Sequence, residues 1–75
     1  MTSMMAKYKE RIPHETRNIL EAMSEPTRQG LAMMLAERGE FSFNELLQAA
    51  RPINASTLNH HLKVLMKAGL VRNYY

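Results

Sequence analysis

The chain has no cysteine and no tryptophan, and none of its apolar runs approaches the roughly 20 residues of a membrane-spanning helix. Without cysteine it has neither disulfide bonds nor a thiolate metal site. The N-terminal MTSMMAKYKER is too polar for a signal peptide. These absences predict a soluble, cytoplasmic protein with no membrane partner. Its 75 residues, 45% of them hydrophobic, are enough for one small domain.

Acidic residues are also missing from the second part of the chain. Residues 1–45 hold six Lys or Arg and seven Glu, whereas residues 46–75 hold four Lys or Arg and no acid. The net charge of +3 therefore comes entirely from the C-terminal part. A solvated surface usually mixes both signs, so this one-sided basic region favours a polyanionic partner such as nucleic acid.

The N-terminal residues predict an arm followed by a first helix. Residues 1–12 have no clear apolar period and are interpreted as an arm that is frayed or that extends the first helix backward. Pro13 suits a first helical turn, and helical spacing of apolar residues predicts a helix over 13–23. Its inward stripe is predicted to contain Ile12, Thr16, Ile19, Leu20 and Met23.

A second helix is predicted over 25–38. Ser24 is the expected N-cap, and Gly39 ends the helix. Gly30 in its middle costs about 1 kcal/mol relative to alanine, which suggests that another backbone approaches closely there. Arg28 is expected to pair with glutamates at the surface rather than with phosphate. The buried stripe is predicted to contain Leu31, Met34 and Leu35.

A third helix is predicted over 43–50, because Ser42 and Glu45 match the capping-box pattern. It ends before Pro52, since the residue preceding a proline is biased away from helical geometry. Its inward residues are predicted to be Phe43, Leu46, Leu47 and Ala50.

The fourth helix, predicted over 54–68 with Asn54 as its N-cap, has two distinct faces. An apolar stripe should meet the core, and a polar stripe of small and basic residues has the character of a helix that reads base edges in a DNA major groove. The apolar stripe contains Leu58, His61, Leu62 and Leu65, and the polar stripe contains Ala55, Ser56, Asn59, His60 and Lys63.

The third and fourth helices, joined by a short turn, form a helix-turn-helix. Short strands are predicted near 40–42 and 70–75, because the latter segment is rich in β-branched and aromatic residues and needs a partner. The expected fold is mainly α with a minimal β element, a winged helix-turn-helix over 13–75. The chain ends where a second wing strand would begin, so the wing is expected to be shortened.

Several sequence stretches resemble the ArsR-type winged helix-turn-helix regulators over roughly 19–72. They are Glu25-Pro26-Thr27-Arg28, Asn44-Glu45-Leu46, Ser56-Thr57-Leu58, His61-Leu62-Lys63-Val64-Leu65 and Ala68-Gly69-Leu70-Val71. The resemblance implies a transcriptional regulator, usually homodimeric, whose fourth helix enters the major groove. We expect the dimer to form through the N-terminal arm and first helix. Metal-sensing members carry cysteines or acidic and histidine ligands that this chain lacks, so no metal or other cofactor is expected.

The expected partner is double-stranded DNA, contacted by side chains of the fourth helix. The predicted DNA-binding residues are Ala55, Ser56, Thr57, Asn59, His60 and Lys63, with secondary phosphate contacts from Arg51, Lys67 and Arg72. The alternative for these residues is an ordinary solvated helix face.

Other chemistry has little support in the sequence. Neighbouring His60 and His61 point about 100° apart on a helix and cannot chelate one metal together. His61 is expected to be a half-buried structural residue near the helix at 43–50. No nucleophile, carboxylate pair or phosphate loop accompanies them, so no enzymatic activity is expected. The remaining alternative function is a winged helix that binds another protein and not DNA.

Overall fold

The computed structural model describes residues 4–72, and this part of the chain is helical with no β-strand. Its five helices are α1 Met4–Glu10, α2 His14–Ala22, α3 Pro26–Arg38, α4 Phe43–Ala49 and α5 Ala55–Lys67. The last four begin and end within one residue of the four predicted helices.

Helix α1 occupies the segment that was predicted to be an arm. Arg17 defines the break between α1 and α2, because its guanidinium donates to the Lys9 carbonyl at 2.7 Å and to the Ile12 carbonyl at 3.3 Å. The arm is therefore a separate helix and does not extend α2. None of the α1 residues is buried, so α1 adds nothing to the hydrophobic core.

Side chains cap the first turns of α3, α4 and α5. Ser42 and Glu45 form the predicted capping box, and Asn54 accepts a hydrogen bond from the Thr57 backbone N–H at 2.8 Å. At α3 the prediction was wrong, because the cap is Glu25 and Ser24 instead donates its hydroxyl to the Glu21 carbonyl. A carboxylate at this position also interacts favourably with the positive end of the helix dipole.

Two glycines with positive φ follow helices, and Gly39 was predicted to end its helix. Gly39 has a φ of 84° directly after α3, and Gly69 has a φ of 74°. At the end of α5, Gly69 donates to the Met66 carbonyl and Leu70 to the Leu65 carbonyl, the two hydrogen bonds of a Schellman motif. Both helix ends are therefore determined by local backbone geometry.

The core is small and centred on α5, which packs against α2 and α3. Six hydrophobic residues in the described range are buried, and they are Ala22, Leu31, Leu46, Leu58, Leu62 and Leu65. Three of these leucines belong to α5, so this helix forms a large part of the core.

The predicted inward stripe of α2 was right at Met23, which packs against the core, but wrong at Ile19 and Leu20. Ile19 is 40% exposed and Leu20 is 58% exposed, whereas Ala22 is the buried residue of this helix. The small Ala22 side chain lies in the core cluster with the α5 leucines, and Ile19 and Leu20 are directed away from it. Helical spacing identified an apolar side of α2 without showing which part of it meets α5.

The two predicted strand segments are not strands within residues 4–72. The Ser42 backbone N–H donates to Glu45 Oε1 and its carbonyl accepts from Leu46, so the α4 cap uses both groups. The Leu70 N–H is used by the Schellman bond of α5. These backbone groups cannot also form a ladder, and the minimal β element is absent from this range. Residues 73–75, the rest of the predicted second strand, lie outside the described residues.

Gly30 lies in the middle of α3, where its lack of a side chain was predicted to allow close packing. A Cβ built at Gly30 meets no atom within 4 Å, so the predicted close approach of another backbone was wrong.

We expect Gly30→Ala to raise the free energy of unfolding by about 1 kcal/mol through helix propensity. Gly39→Ala is the control and should destabilise, because its φ of 84° strains an alanine. Urea denaturation measures both, and a destabilising Gly30→Ala would contradict the interpretation.

Candidate nucleic-acid interface

Helix α5 begins at an exposed turn and presents its N-terminal end to solvent. Asn54 is its N-cap, and Ala55, Ser56 and Thr57 in the first turn are all exposed. Backbone N–H groups in a first helical turn lack helical partners and carry partial positive charge. This end of α5 therefore suits contact with an anionic group.

The buried side of α5 agrees with the prediction in full. Leu58, Leu62 and Leu65 have no exposed surface, and His61 is only 9% exposed. Because these side chains pack one face of α5 into the core, the opposite face is held at a fixed position on the surface.

That opposite face carries an exposed polar stripe. Ser56, His60, Lys63 and Lys67 are exposed and follow one another at intervals of three or four residues. Such intervals place side chains on one side of a helix. We call these four residues the α5 polar stripe. It contains two lysines, no acid and several hydrogen-bonding groups, which suits both phosphate and base edges.

The remaining predicted contact residues lie beside the α5 polar stripe or away from it. Asn59 is partly buried, between the stripe and the leucine face. Arg51 is exposed in the turn between α4 and α5, where the Arg51–Pro52 bond is cis. Arg72 lines a different feature, a cleft beside α3 and α4. The structure thus groups four predicted residues on one stripe and separates Arg72 from them.

The cleft that contains Arg72 has a volume of about 700 Å³ and is open to solvent. Its lining combines apolar side chains with charged ones, and the two segments predicted as strands both contribute to it. At its side, the Arg38 guanidinium lies 5.7 Å from the centroid of the Phe41 ring. The predicted strand segments are therefore close to the same surface although they form no sheet within residues 4–72.

A buried polar cluster joins α5 to the junction of α2 and α3. The Arg28 side chain is 9% exposed and donates from Nε to the Ala22 carbonyl at 2.9 Å and from Nη2 to the Glu21 carbonyl at 3.1 Å. Its Nη1 lies 3.1 Å from His61 Nδ1. The predicted surface pairing of Arg28 with glutamates was wrong, since its guanidinium bonds the carbonyls at the end of α2.

Glu25 completes this cluster from the other side of His61. Its Oε2 accepts from the Arg28 backbone N–H at 3.2 Å and lies 3.6 Å from His61 Nε2. The hydrogen bond from the Thr27 backbone N–H is the main cause that holds the pKa of the Glu25 carboxyl below its usual value, and the Arg28 backbone N–H adds to it. Partial desolvation acts in the opposite direction. Glu25 is therefore an ionised partner for His61 at neutral pH.

The sequence interpretation missed that Arg28 is buried and contacts His61, although the sequence contains a signal for this burial. Arg28 lies three residues before Leu31, so both occupy one side of α3. The alignment of Arg28 with a core leucine on one side of α3 is therefore the signal that its side chain is directed inward. His61 was placed near α4, but it bonds α3 instead.

Neither a metal centre nor a membrane segment is found in the part of the chain that the structure describes. No group of three or more potential metal-ligating side chains occurs among residues 4–72. No helix in the same range combines the length and apolar character needed to cross a bilayer.

Residues 23–73 match the family described as a helix-turn-helix domain. The chain belongs to this helix-turn-helix family. The match runs from the end of α2 through α3, α4 and α5, and so includes the capped pair α4 and α5. Membership supports DNA binding and regulation of transcription. The match is to the helix-turn-helix domain in general and not to the ArsR type. No curated protein and no solved structure matches the chain.

The Asn54 cap should contribute measurably to the stability of this helix-turn-helix domain. We expect Asn54→Ala to lower the free energy of unfolding by about 1 kcal/mol, because the Thr57 N–H loses its partner. Asn44→Ala is the matched control, since Asn44 is an exposed residue inside α4, and should change stability by less than about 0.5 kcal/mol. Thermal and urea unfolding followed by circular dichroism measure both. Equal losses in the two variants would contradict a capping role.

Proposed function

We propose that this helix-turn-helix domain is a sequence-specific regulator of transcription of the ArsR winged type, with α5 in the major groove of double-stranded DNA. The observation that carries the proposal is the α5 polar stripe opposite a face of fully buried leucines. A helix held by its buried face can insert its exposed face into a groove without unfolding. We also propose that the protein is not an enzyme.

The residues of α5 divide by chemistry into base-reading and phosphate-binding candidates. Ser56 and His60 carry hydrogen-bonding groups that suit base edges, and Asn59 can pair with adenine through two hydrogen bonds. Lys63 suits guanine or phosphate. Ala55 and Thr57 offer a methyl surface for thymine near the free N–H groups of the first turn.

Charge around α5 supports an anionic partner. Lys67 continues the α5 polar stripe, and Arg51 lies in the exposed turn before the helix. No acidic residue occurs in 46–75, so nothing in this part of the sequence offsets the basic side chains. Such a surface attracts phosphate groups and accelerates association with DNA.

Fluorescence anisotropy on duplex DNA at a series of salt concentrations tests the proposal. Affinity should fall with ionic strength at a log-log slope of about 0.9 per phosphate contacted. Lys63→Ala should lower this slope by about one, because one cationic contact is lost. Lys7→Ala is the control, since Lys7 is an exposed lysine on α1, and should leave the slope unchanged.

Two results would contradict DNA binding through α5. One is a lack of binding at low salt, and the other is an equal effect of the Lys63 and Lys7 substitutions. If Asn59→Ala and His60→Ala leave DNA affinity unchanged but weaken the capture of another protein, the function is that of a protein-interaction module.

We further propose that the domain acts as a homodimer formed by α1 and α2. Among residues 4–72, seven large hydrophobic residues are exposed, and five of them lie on these helices, namely Met4, Met5, Tyr8, Ile19 and Leu20. The Cα radius of gyration is 15.1 Å, whereas about 11 Å is expected for a compact chain of this length. An elongated shape with an uncovered apolar region suits association with a second copy. Two copies then read half-sites about one helical turn apart.

Sedimentation equilibrium at micromolar concentration tests the dimer. We expect Leu20→Lys to shift the protein to a monomer, because a charge replaces an apolar contact at the interface. Met33→Lys is the control, since Met33 is 63% exposed on α3, and should leave the dimer intact. A monomeric unmodified protein, or a dimer that tolerates Leu20→Lys, would contradict the interface.

A further inference from the structure

His61 and Arg28 are the two buried polar residues of the described chain, and they contact each other. Arg28 is a residue of α3. Its guanidinium donates hydrogen bonds to two carbonyls at the end of α2 and contacts His61 on α5. A single side chain thus connects the three helices that form most of the core.

The contact with Arg28 determines where the His61 ring carries its proton. A guanidinium group has only hydrogen-bond donors, so His61 Nδ1 must present its lone pair to Arg28 Nη1. The neutral ring then carries its hydrogen on Nε2, which is directed to Glu25 Oε2 at 3.6 Å. His61 therefore bridges Arg28 and Glu25 in one specific tautomer.

A second proton on His61 is incompatible with this arrangement. It would place an N–H on Nδ1 opposite the Arg28 guanidinium, so that two donors and two positive charges face each other at the present 3.1 Å. The Glu25 side would remain attractive because its carboxylate faces Nε2. Protonation therefore breaks the bond to the α2–α3 junction while it keeps the pairing with Glu25.

We propose that His61 is a positioning residue for the DNA-binding face of α5, and that a second proton on its ring weakens DNA binding by releasing α5 from Arg28. The inference rests on the proposed function. His61 does not reach the α5 polar stripe itself, but it immediately follows His60 of that stripe. A change in how α5 is held on α2 and α3 therefore changes how the stripe meets DNA.

The charged and titratable groups that face His61 are Arg28 from α3, Glu25 from the residue before α3, and His60 from α5, whose ring centroid is 5.9 Å away. Arginine stays protonated, and the lowered pKa of Glu25 keeps that carboxyl ionised near neutrality. His60 belongs to the α5 polar stripe, so a positive charge on its ring would itself attract DNA. A test of His61 therefore needs a background in which His60 has been replaced.

The experiment measures DNA affinity of the full chain with His60→Gln between about pH 5 and pH 8, the interval in which histidines titrate, at constant ionic strength. Affinity should fall about tenfold toward the acidic end, because a hydrogen bond to a charged group is lost. Adding His61→Asn should flatten the profile near the neutral-pH affinity, since the new amide oxygen can accept from Arg28 and does not titrate. Adding His61→Leu should give weaker binding at every pH.

Identical pH profiles with His61 and with His61→Asn would overturn the proposal. Circular dichroism at each pH checks that helix content is retained. If His61→Asn does not fold, NMR of the His60→Gln protein decides, because long-range proton–nitrogen correlations identify the His61 tautomer. An Nε2–H ring that gains its second proton over the pH range of the affinity loss supports the proposal, and an Nδ1–H ring overturns it.

The affinity measurements distinguish failure of the proposed DNA binding from failure of the positioning role of His61. Absence of DNA binding by the unsubstituted chain at every pH would remove the proposed function and the role of His61 in it. Intact DNA binding with a profile independent of residue 61 would remove only the positioning role.

Discussion

The structure depends on the requirement that α5 serve both as core and as surface. Leu58, Leu62 and Leu65 have no exposed area, and removal of one such leucine typically costs about 2 to 5 kcal/mol. In so small a core, this face cannot separate without unfolding the domain. The α5 polar stripe is therefore supported by the same contacts that stabilise the fold, and a DNA groove would meet a helix whose position is already determined.

Leucine packing alone leaves a helix free to slide or rotate slightly, and the polar cluster limits this freedom. Buried polar groups must find partners at specific distances and angles, whereas apolar contacts tolerate small shifts. Arg28 meets two carbonyls and His61, and each contact requires a particular register between the helices. Buried polar groups that specify a unique arrangement are documented in other proteins, at a cost in stability. Here that specificity falls on the helix proposed to read DNA.

The sequence predicted the parts of the fold that depend on local chemistry. Caps at Ser42 and Asn54 and the glycine at 39 interact with residues a few positions away, so their effects are visible in a short stretch of sequence. The leucine face of α5 was also predicted, because a strong helical period leaves little choice. The burial of Arg28 and the exposure of Leu20 depend on which helices meet, which no short stretch contains. The strand near 40–42 failed because capping α4 used the Ser42 backbone groups. The assigned DNA contacts remain predictions.

The side-chain caps also bear on how the chain folds. Glu25, Ser42 and Asn54 each bond a backbone N–H three residues ahead, so α3, α4 and α5 each carry their own start signal. Helix α2 has no such bond, since its N-cap is Pro13. Nucleation is the slow and costly step of helix formation, and a cap lowers its cost. Helices α3 to α5 are therefore suited to begin forming early from local interactions, whereas α2 depends on docking against α5.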